Sequence, residues 1–308
     1  EQALKNLNDI YKNLNGAGVD MEVQFCLAQK DPLGNQQEGY LQVDCNNVAK
    51  YDTAGMQFNM AGNGASEAEL KGKSKWNNKL YYNIWVVNQI QNGTNNPGPG
   101  PAGFAYFPNQ GGTLDGLVID DDYLLTTTMA HEIGHAFNLL HTFQGDDGDK
   151  ICPPNMNCDL DGDQVCDTPP HKQNDCGAVN PCTINGVWDN SRFNYMSFCG
   201  NKDRFTQGQK DRLRLCLLTT RKSLTTSEGC FSTKLTNEIG IVNILYPNTG
   251  PLCSDVIRPK VLFKNFGTND LVSSSIKVLV DGIPVDTFLF TDFPGKNPQN
   301  DTLTITFD

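Results

Sequence analysis

Three of the four histidines of this chain fall in one stretch, His131-Glu132-Ile133-Gly134-His135-Ala136-Phe137-Asn138-Leu139-Leu140-His141. No other segment constrains the backbone so tightly. His131 and His135 stand four residues apart, which on a helix puts both imidazoles on one face. Both can then reach a single cation. Zinc is the usual occupant of such a pair, with nitrogens at about 2.0–2.1 Å. Glu132 lies beside them, projecting towards the open position of the metal, where it can take a proton from a zinc-bound water. His141 can join as third ligand only if the helix stops and the chain turns. The turn falls at Asn138, where a left-handed backbone is required; Gly is the usual solution and Asn the next most tolerant. Three protein ligands and a water describe an open, catalytic site.

The flanking sequence supplies a framework of both helices and strands. Leu4, Leu7, Tyr11 and Leu14 recur at helical spacing, so residues 1–15 read as a surface helix. Asp20–Gln29 alternates like a half-buried strand, and Lys79–Ile90 is rich in aromatic and β-branched residues. Asn92–Gly103 is a breaker-dense loop. Phe104–Phe107 and Gly116–Ile119 are strand-sized apolar runs. Asp122–Leu140 reads as a helix with an acidic start. Thr206 with Gln209 forms a capping-box pattern opening a helix to Arg221, with Leu213 and Leu217 inward. Beyond residue 230 the segments alternate (Lys260–Phe263, Ser275–Val280, Thr287–Phe290), with Asp281-Gly282 as a hairpin signal. Residues 243–308 therefore read as an immunoglobulin-like β-sandwich module. It is shorter than the ~100 residues such modules commonly need, and so reads as incomplete.

Charge and cysteine usage narrow the setting. The formal net charge of −11 over 308 residues repels phosphate backbones and argues against a nucleic-acid partner. No apolar run approaches the roughly 18–20 residues that a membrane span needs. There are 11 cysteines, six of them between Cys152 and Cys199. None forms a C-x-x-C pair, so disulfides and an oxidising, extracellular compartment are the reading. An odd total leaves at least one thiol free or paired outside this chain. The intervening segment, Asp146–Asn190, has little periodicity and needs disulfides or bound ions to stay ordered. Asp159, Asp161, Asp163 and Asp167 crowd into it around Gly162, and hard oxygen donors at that density suit calcium. His171, outside the motif, reads as a surface residue. Asn92-Gly93-Thr94 and Asn300-Asp301-Thr302 match glycosylation sequons.

HEIGHAFNLLHTF resembles the zinc helix of the metzincin metallopeptidases and, more narrowly, that of the pappalysin (M43) family, where Thr-Phe follows the third His as Thr142-Phe143 does here. Pro101–Pro108 with Leu114–Ile119 resembles the family's strand pair before that helix. Gly162–Pro169 resembles its calcium-associated loop, and Asn194–Gln209 its Met-turn and final helix. The resemblance spans about residues 1–222. It implies an α+β catalytic domain over residues 1–230: a twisted mixed sheet, the zinc helix, a Met-turn and a C-terminal helix. It implies zinc on His131, His135 and His141, Glu132 as general base, and Met196 as the hydrophobic floor under the metal. It favours Asp163, Asp167, Thr168 and the Val165 carbonyl for calcium. Cys176–Cys199 would tie the loop to the Met-turn, with Cys182 paired to Cys152 or Cys158. A family strand preceding the first helix is not found, so both ends of the chain read as clipped. Two positions depart from the family: Asn138 replaces Gly, and Phe198 stands where a Tyr hydroxyl often stabilises the tetrahedral intermediate.

The expected activity is that of a secreted zinc endopeptidase. A protein or peptide substrate would lie antiparallel along an edge strand at Phe104, Ala105 and Tyr106. The alternative is a secreted binding or adhesion protein with a degenerate protease domain. An acidic residue near the Met-turn, such as Asp203, would favour Arg or Lys after the scissile bond. Oligomeric state is left open.

Overall fold

The computed structural model describes residues 1–58, 64–91, 100–188, 191–231, 237–247, 258–267, 269–280, 283–291 and 302–306. The chain divides into two compact units, Glu1–Cys230 and Phe231–Asp308. The first holds α1 (Gln2–Tyr11), α2 (Tyr51–Ala54), β1 (Met56–Gln57), α3 (Glu67–Gly72), β2 (Ile84–Val87), β3 (Ile90–Gln91), β4 (Gly103–Ala105), β5 (Leu117–Asp120), α4 (Thr128–Ala136), α5 (Gln207–Leu218) and α6 (Lys222–Thr225). This is a mixed α+β unit. Its three-stranded sheet runs β2-β5-β4, with β2 parallel and β4 antiparallel to β5. A second, two-stranded sheet pairs β1 and β3 in parallel.

β5 is apolar because it is covered on both faces. Leu117 and Ile119 point into a cluster with Leu7, Tyr11, Met129, Ile133, Phe137, Met196 and Leu213. Val118 points the other way, against Met56, Leu70, Val87 and Ile90. α1 buries Leu7 and Tyr11, and the Tyr11 hydroxyl donates to the Ala130 carbonyl of α4 at 3.2 Å. α5 starts at a complete capping box, Thr206 with Gln209, and buries Leu213 and Leu217.

Several expected elements are shorter or absent. Asp20–Gln29 forms no strand: Glu22 has φ +54°. The Phe25 N–H and C=O are taken by the Asn8 side-chain amide at 2.8 and 2.9 Å, so the extended chain docks on a helix side chain. The Lys79–Ile90 run is a strand only at Ile84–Val87, because Tyr81 N–H closes a turn on the Asn77 carbonyl. The zinc-motif helix begins at Thr128; Asp121–Tyr123 is a separate 3₁₀ turn that the Asp120 carboxylate caps.

The segment after His141 has little regular structure. Disulfides Cys152–Cys182, Cys158–Cys166 and Cys176–Cys199 staple it. Asp146 accepts from Gly148 N–H (3.1 Å) and Gln173 N–H (2.9 Å), pinning two distant parts of the loop. Cys26–Cys230 links the two ends of the unit. Cys45 and Cys216 are free thiols.

The second unit contains β6 (Ile239–Tyr246), β7 (Lys260–Asn265), β8 (Ser274–Val280), β9 (Ile283–Phe290) and β10 (Thr302–Thr306). Antiparallel pairing gives a sheet β10-β7-β6 and a hairpin β8-β9. Val261 and Phe263 of the sheet pack with Ile276, Val278, Phe288 and Phe290 of the hairpin. The Asp281-Gly282 turn, the sequon at Asn92 and Asn300 of the second sequon lie outside the described residues.

Candidate active site

α4 is buried from Met129 to Ala136. Met129, Ala130 and Ile133 face the core, which leaves His131 and His135 on another face. The helix ends in a Schellman turn: Leu139 N–H donates to the Gly134 carbonyl at 2.9 Å and Asn138 N–H to that of His135 at 3.0 Å. Asn138 has φ +75°, and its carbonyl accepts from Arg212 Nε at 2.6 Å. The chain therefore reverses and carries His141 back over the helix.

The three Nε2 atoms meet. His131 to His141 is 3.1 Å, His135 to His131 3.1 Å, and His135 to His141 3.0 Å. His131 Nδ1 lies 2.7 Å from the Tyr195 carbonyl and His135 Nδ1 2.8 Å from that of Leu139. A carbonyl only accepts, so the ring proton sits on Nδ1 in both. Their Nε2 atoms are bare lone pairs pointing at each other, an arrangement that repels unless a cation is shared. Two nitrogens on a tetrahedral zinc stand ~3.3 Å apart, close to the spacing here. The donor set thus fits zinc, with backbone carbonyls orienting the rings from behind. Burial lowers the pKa of all three: His131 well below the usual value, His135 to about 4 and His141 to about 3. They are neutral at pH 7, as ligands must be.

Glu132 is buried against β4. A Cβ on Gly103 would come 3.3 Å from Glu132 Cγ, so glycine leaves room for the carboxylate to lie beside the strand. Burial pushes its pKa to about 7; the Lys202 charge and a hydrogen bond from the Ala105 backbone oppose the rise. β4 pairs with β5 on one side and is the edge of its sheet among the described residues. Phe104 and Ala105 lie in it, and Tyr106 follows.

Met196 is fully buried beneath the helix. A Cβ at Gly134 would overlap its sulfur, so the glycine of HEIGH is a packing requirement of the Met-turn. The turn is held by Thr142 N–H donating to the Met196 carbonyl at 3.2 Å. Asn194 also exchanges two side-chain hydrogen bonds with Gln209, at 2.8 and 2.9 Å. Phe198 is 49% exposed at the mouth of the site. Its ring centroid is 4.8 Å from that of His141 and 5.8 Å from that of His131.

The acidic loop divides into two roles. Asp163 is buried, accepting from the Thr168 hydroxyl at 2.6 Å and from Val165 N–H at 3.2 Å. The Val165 carbonyl lies 2.9 Å from the same hydroxyl. Burial pushes the Asp163 carboxyl up to about 7. Asp167 faces the start of α5, accepting from Thr206 Oγ1 at 2.7 Å and Gly208 N–H at 3.0 Å. Among the described residues, two other clusters have metal-like spacing. In one, Cys158 and Cys166 are joined to each other; the other is the Asp120–Asp122 turn.

Three residues matter that sequence reasoning missed. His171 is fully buried, correcting its expected surface position. Its Nε2 meets Thr142 Oγ1 at 2.7 Å, beside His141. Arg221 forks onto Asp115 (2.7 and 3.0 Å), and its Nε donates to the carbonyl of Ala136, the last residue of α4, at 2.6 Å. Its Nη2, one of the two nitrogens on Asp115, also reaches the Tyr106 carbonyl at 3.3 Å. Lys71, wholly buried, pairs with Glu67 at 2.7 Å, and Glu67 accepts from the Tyr106 hydroxyl at 2.9 Å. Apart from the i,i+4 pair Lys71–Glu67, these contacts span tens of residues, and nothing local in sequence marks them.

Comparison with known proteins bears on this site. The family described as pregnancy-associated plasma protein-A, peptidase M43, matches residues 65–218, half of the chain. An extracellular metalloprotease of Arthroderma otae is 26% identical over 229 residues, 64% of this chain and 77% of that protein. One from Colletotrichum graminicola is 29% identical over 186 residues, 53% of this chain and 60% of its own length. Extracellular metalloprotease 1 of Coccidioides posadasii is 30% identical over 134 residues, 37% of this chain and 44% of its own.

Proposed function

The chain belongs to the pregnancy-associated plasma protein-A (M43) family of metallopeptidases, and from that premise we propose a secreted zinc endopeptidase built on His131, His135, His141 and Glu132. The observation that carries this reading is the convergence of three Nε2 atoms at 3.0–3.1 Å beside a buried carboxylate. His131, His135 and His141 hold the zinc. When bound, it polarises the scissile carbonyl and acidifies water. Met196 gives the cluster an apolar floor.

A peptide substrate adds to the open edge of β4 at Phe104, Ala105 and Tyr106, main chain to main chain. Glu132, held against that strand, receives the proton of the attacking water and passes it to the leaving amine. A carboxyl whose pKa is raised towards neutrality suits both halves of that transfer. Phe198 has no hydroxyl to donate to the developing oxyanion.

Calcium is proposed at Asp163, the Val165 carbonyl and Thr168, a compact set of hard oxygens. Asp167 supports that set while capping α5. Secretion is supported by the disulfides and by relatives named extracellular; no helix among the described residues is long and apolar enough to cross a membrane. Residues 1–230 are read as the metzincin-like protease domain and 243–308 as an immunoglobulin-like β-sandwich module. The test is cleavage of denatured casein by the parent chain and by Glu132→Ala. Chelator-sensitive cleavage that the substitution abolishes supports the reading. Bound zinc with no cleavage by the parent would favour a binding protein instead.

A further inference from the structure

The cleft between β4 and the Met-turn carries an unpaired positive charge. Lys202 stands on the short tip Gly200–Lys202, and both sides of that tip are anchored. Cys199 is bonded to Cys176. On the other side, Asp203 and Arg204 N–H groups reach the Phe193 carbonyl at 2.8 and 3.3 Å, and the Arg204 carbonyl accepts from Tyr195 N–H at 2.9 Å. The tip leaves the Met-turn just after Phe198, whose ring covers His131 and His141. Lys202 is half-buried. Among the described residues no carboxylate lies within 4.0 Å of its ammonium, although the chain carries a net charge of −11.

The neighbouring Asp203 is the residue from which a preference for Arg or Lys would be expected. Its carboxylate is engaged by Arg204 through two bonds of 2.7 and 3.1 Å, so its charge is largely neutralised. The charge felt in the site is that of Lys202, which acts electrostatically on Glu132, His131 and His141 together. Glu132 is bounded by Ala105 and Gly103 of β4 on one side and meets the Lys202 field without touching it. On the peptidase reading, a substrate paired with β4 would pass between Glu132 and Lys202.

We propose that Lys202 is a specificity-determining residue of the cleft, selecting substrates with an Asp or Glu side chain next to the scissile bond. A half-buried ammonium with no carboxylate in contact is desolvated, offset only by its attraction to Glu132 at longer range, and an arriving carboxylate supplies the missing charge-assisted hydrogen bond. A Lys or Arg side chain at that place meets like charge and is rejected. This rests on the peptidase reading above.

The test uses three peptides of one sequence, differing only in Glu, Gln or Lys at a residue flanking the scissile bond, with the varied residue placed on each side in turn. The parent should cleave the Glu peptide with a kcat/KM about tenfold above the Lys peptide, a difference of about 1.4 kcal/mol. Lys202→Glu should reverse that order. A Glu132→Gln chain, measured by fluorescence anisotropy, should bind the same peptides in the parent's order of preference. Equal cleavage of all three peptides by the parent overturns the role of Lys202 and leaves the peptidase reading intact. An equal loss on all three in Lys202→Glu also overturns it. No cleavage of any peptide by the parent defeats the peptidase reading, and the anisotropy order then decides the Lys202 assignment by itself.

Discussion

At the scale of single residues, the site depends on which atom carries a proton and which φ a backbone can hold. The Tyr195 and Leu139 carbonyls fix the tautomers of His131 and His135, freeing both Nε2 atoms for metal. Glu132→Ala removes the proposed proton carrier and none of the proposed ligands. It should lower casein cleavage by about 10²–10⁴-fold, with circular dichroism and zinc content unchanged. Asn138 holds φ +75°, where a Cβ costs an ordinary residue roughly 1–2 kcal/mol. Asn138→Ala should therefore lower the unfolding free energy by about that amount, while Asn138→Gly stays within about 1 kcal/mol of the parent; urea denaturation distinguishes them. Gly134 is bound by packing, since any Cβ there overlaps Met196 Sδ.

At the scale of elements, α4, the helix of the proposed zinc site, is positioned by partners at its far end. Arg221 joins three pieces, the last carbonyl of α4, Asp115 before β5, and the Tyr106 carbonyl just after β4. Removing one member of a buried pair strands the other, a loss of roughly 3–5 kcal/mol. Arg221→Ala should show that loss in thermal unfolding, and Asp115→Asn with Arg221 intact should also destabilise. A normal melting temperature in Arg221→Ala would contradict this role.

The legibility of these elements follows from the range of the forces that set them. The zinc helix, its turn at Asn138 and the Thr206/Gln209 capping box are governed by contacts within six residues, and their spacing in sequence is enough to place them. Asp20–Gln29 alternates like a strand, yet its hydrogen bonds go to the Asn8 side chain, which periodicity cannot reveal. His171 is polar and lies in an aperiodic loop, so its burial follows only from the closure of that loop onto Thr142 and Trp188. Arg221 and Asp115 are 106 residues apart, and Lys202 gains meaning only from what it faces.

At the scale of the whole molecule, a loop of some forty residues without regular structure frames the site, and disulfides and hydrogen bonds hold it together. Three disulfides hold it. A buried Asp163, pushed towards neutrality by desolvation, gains most from a bound cation. Calcium should raise the melting temperature of the parent in a saturable manner, and Asp163→Asn should abolish the increment. An unchanged melting temperature with calcium would remove that ion from the account.

The central claim is that one zinc, held by His131, His135 and His141, is required for peptide hydrolysis. Zinc titration into chelator-stripped protein, followed by cleavage of denatured casein, tests it most directly. Activity should be absent at the start, rise in proportion to added zinc and level off at about one equivalent per chain. Full cleavage by the stripped protein, or none after a full equivalent of zinc is bound, would contradict it.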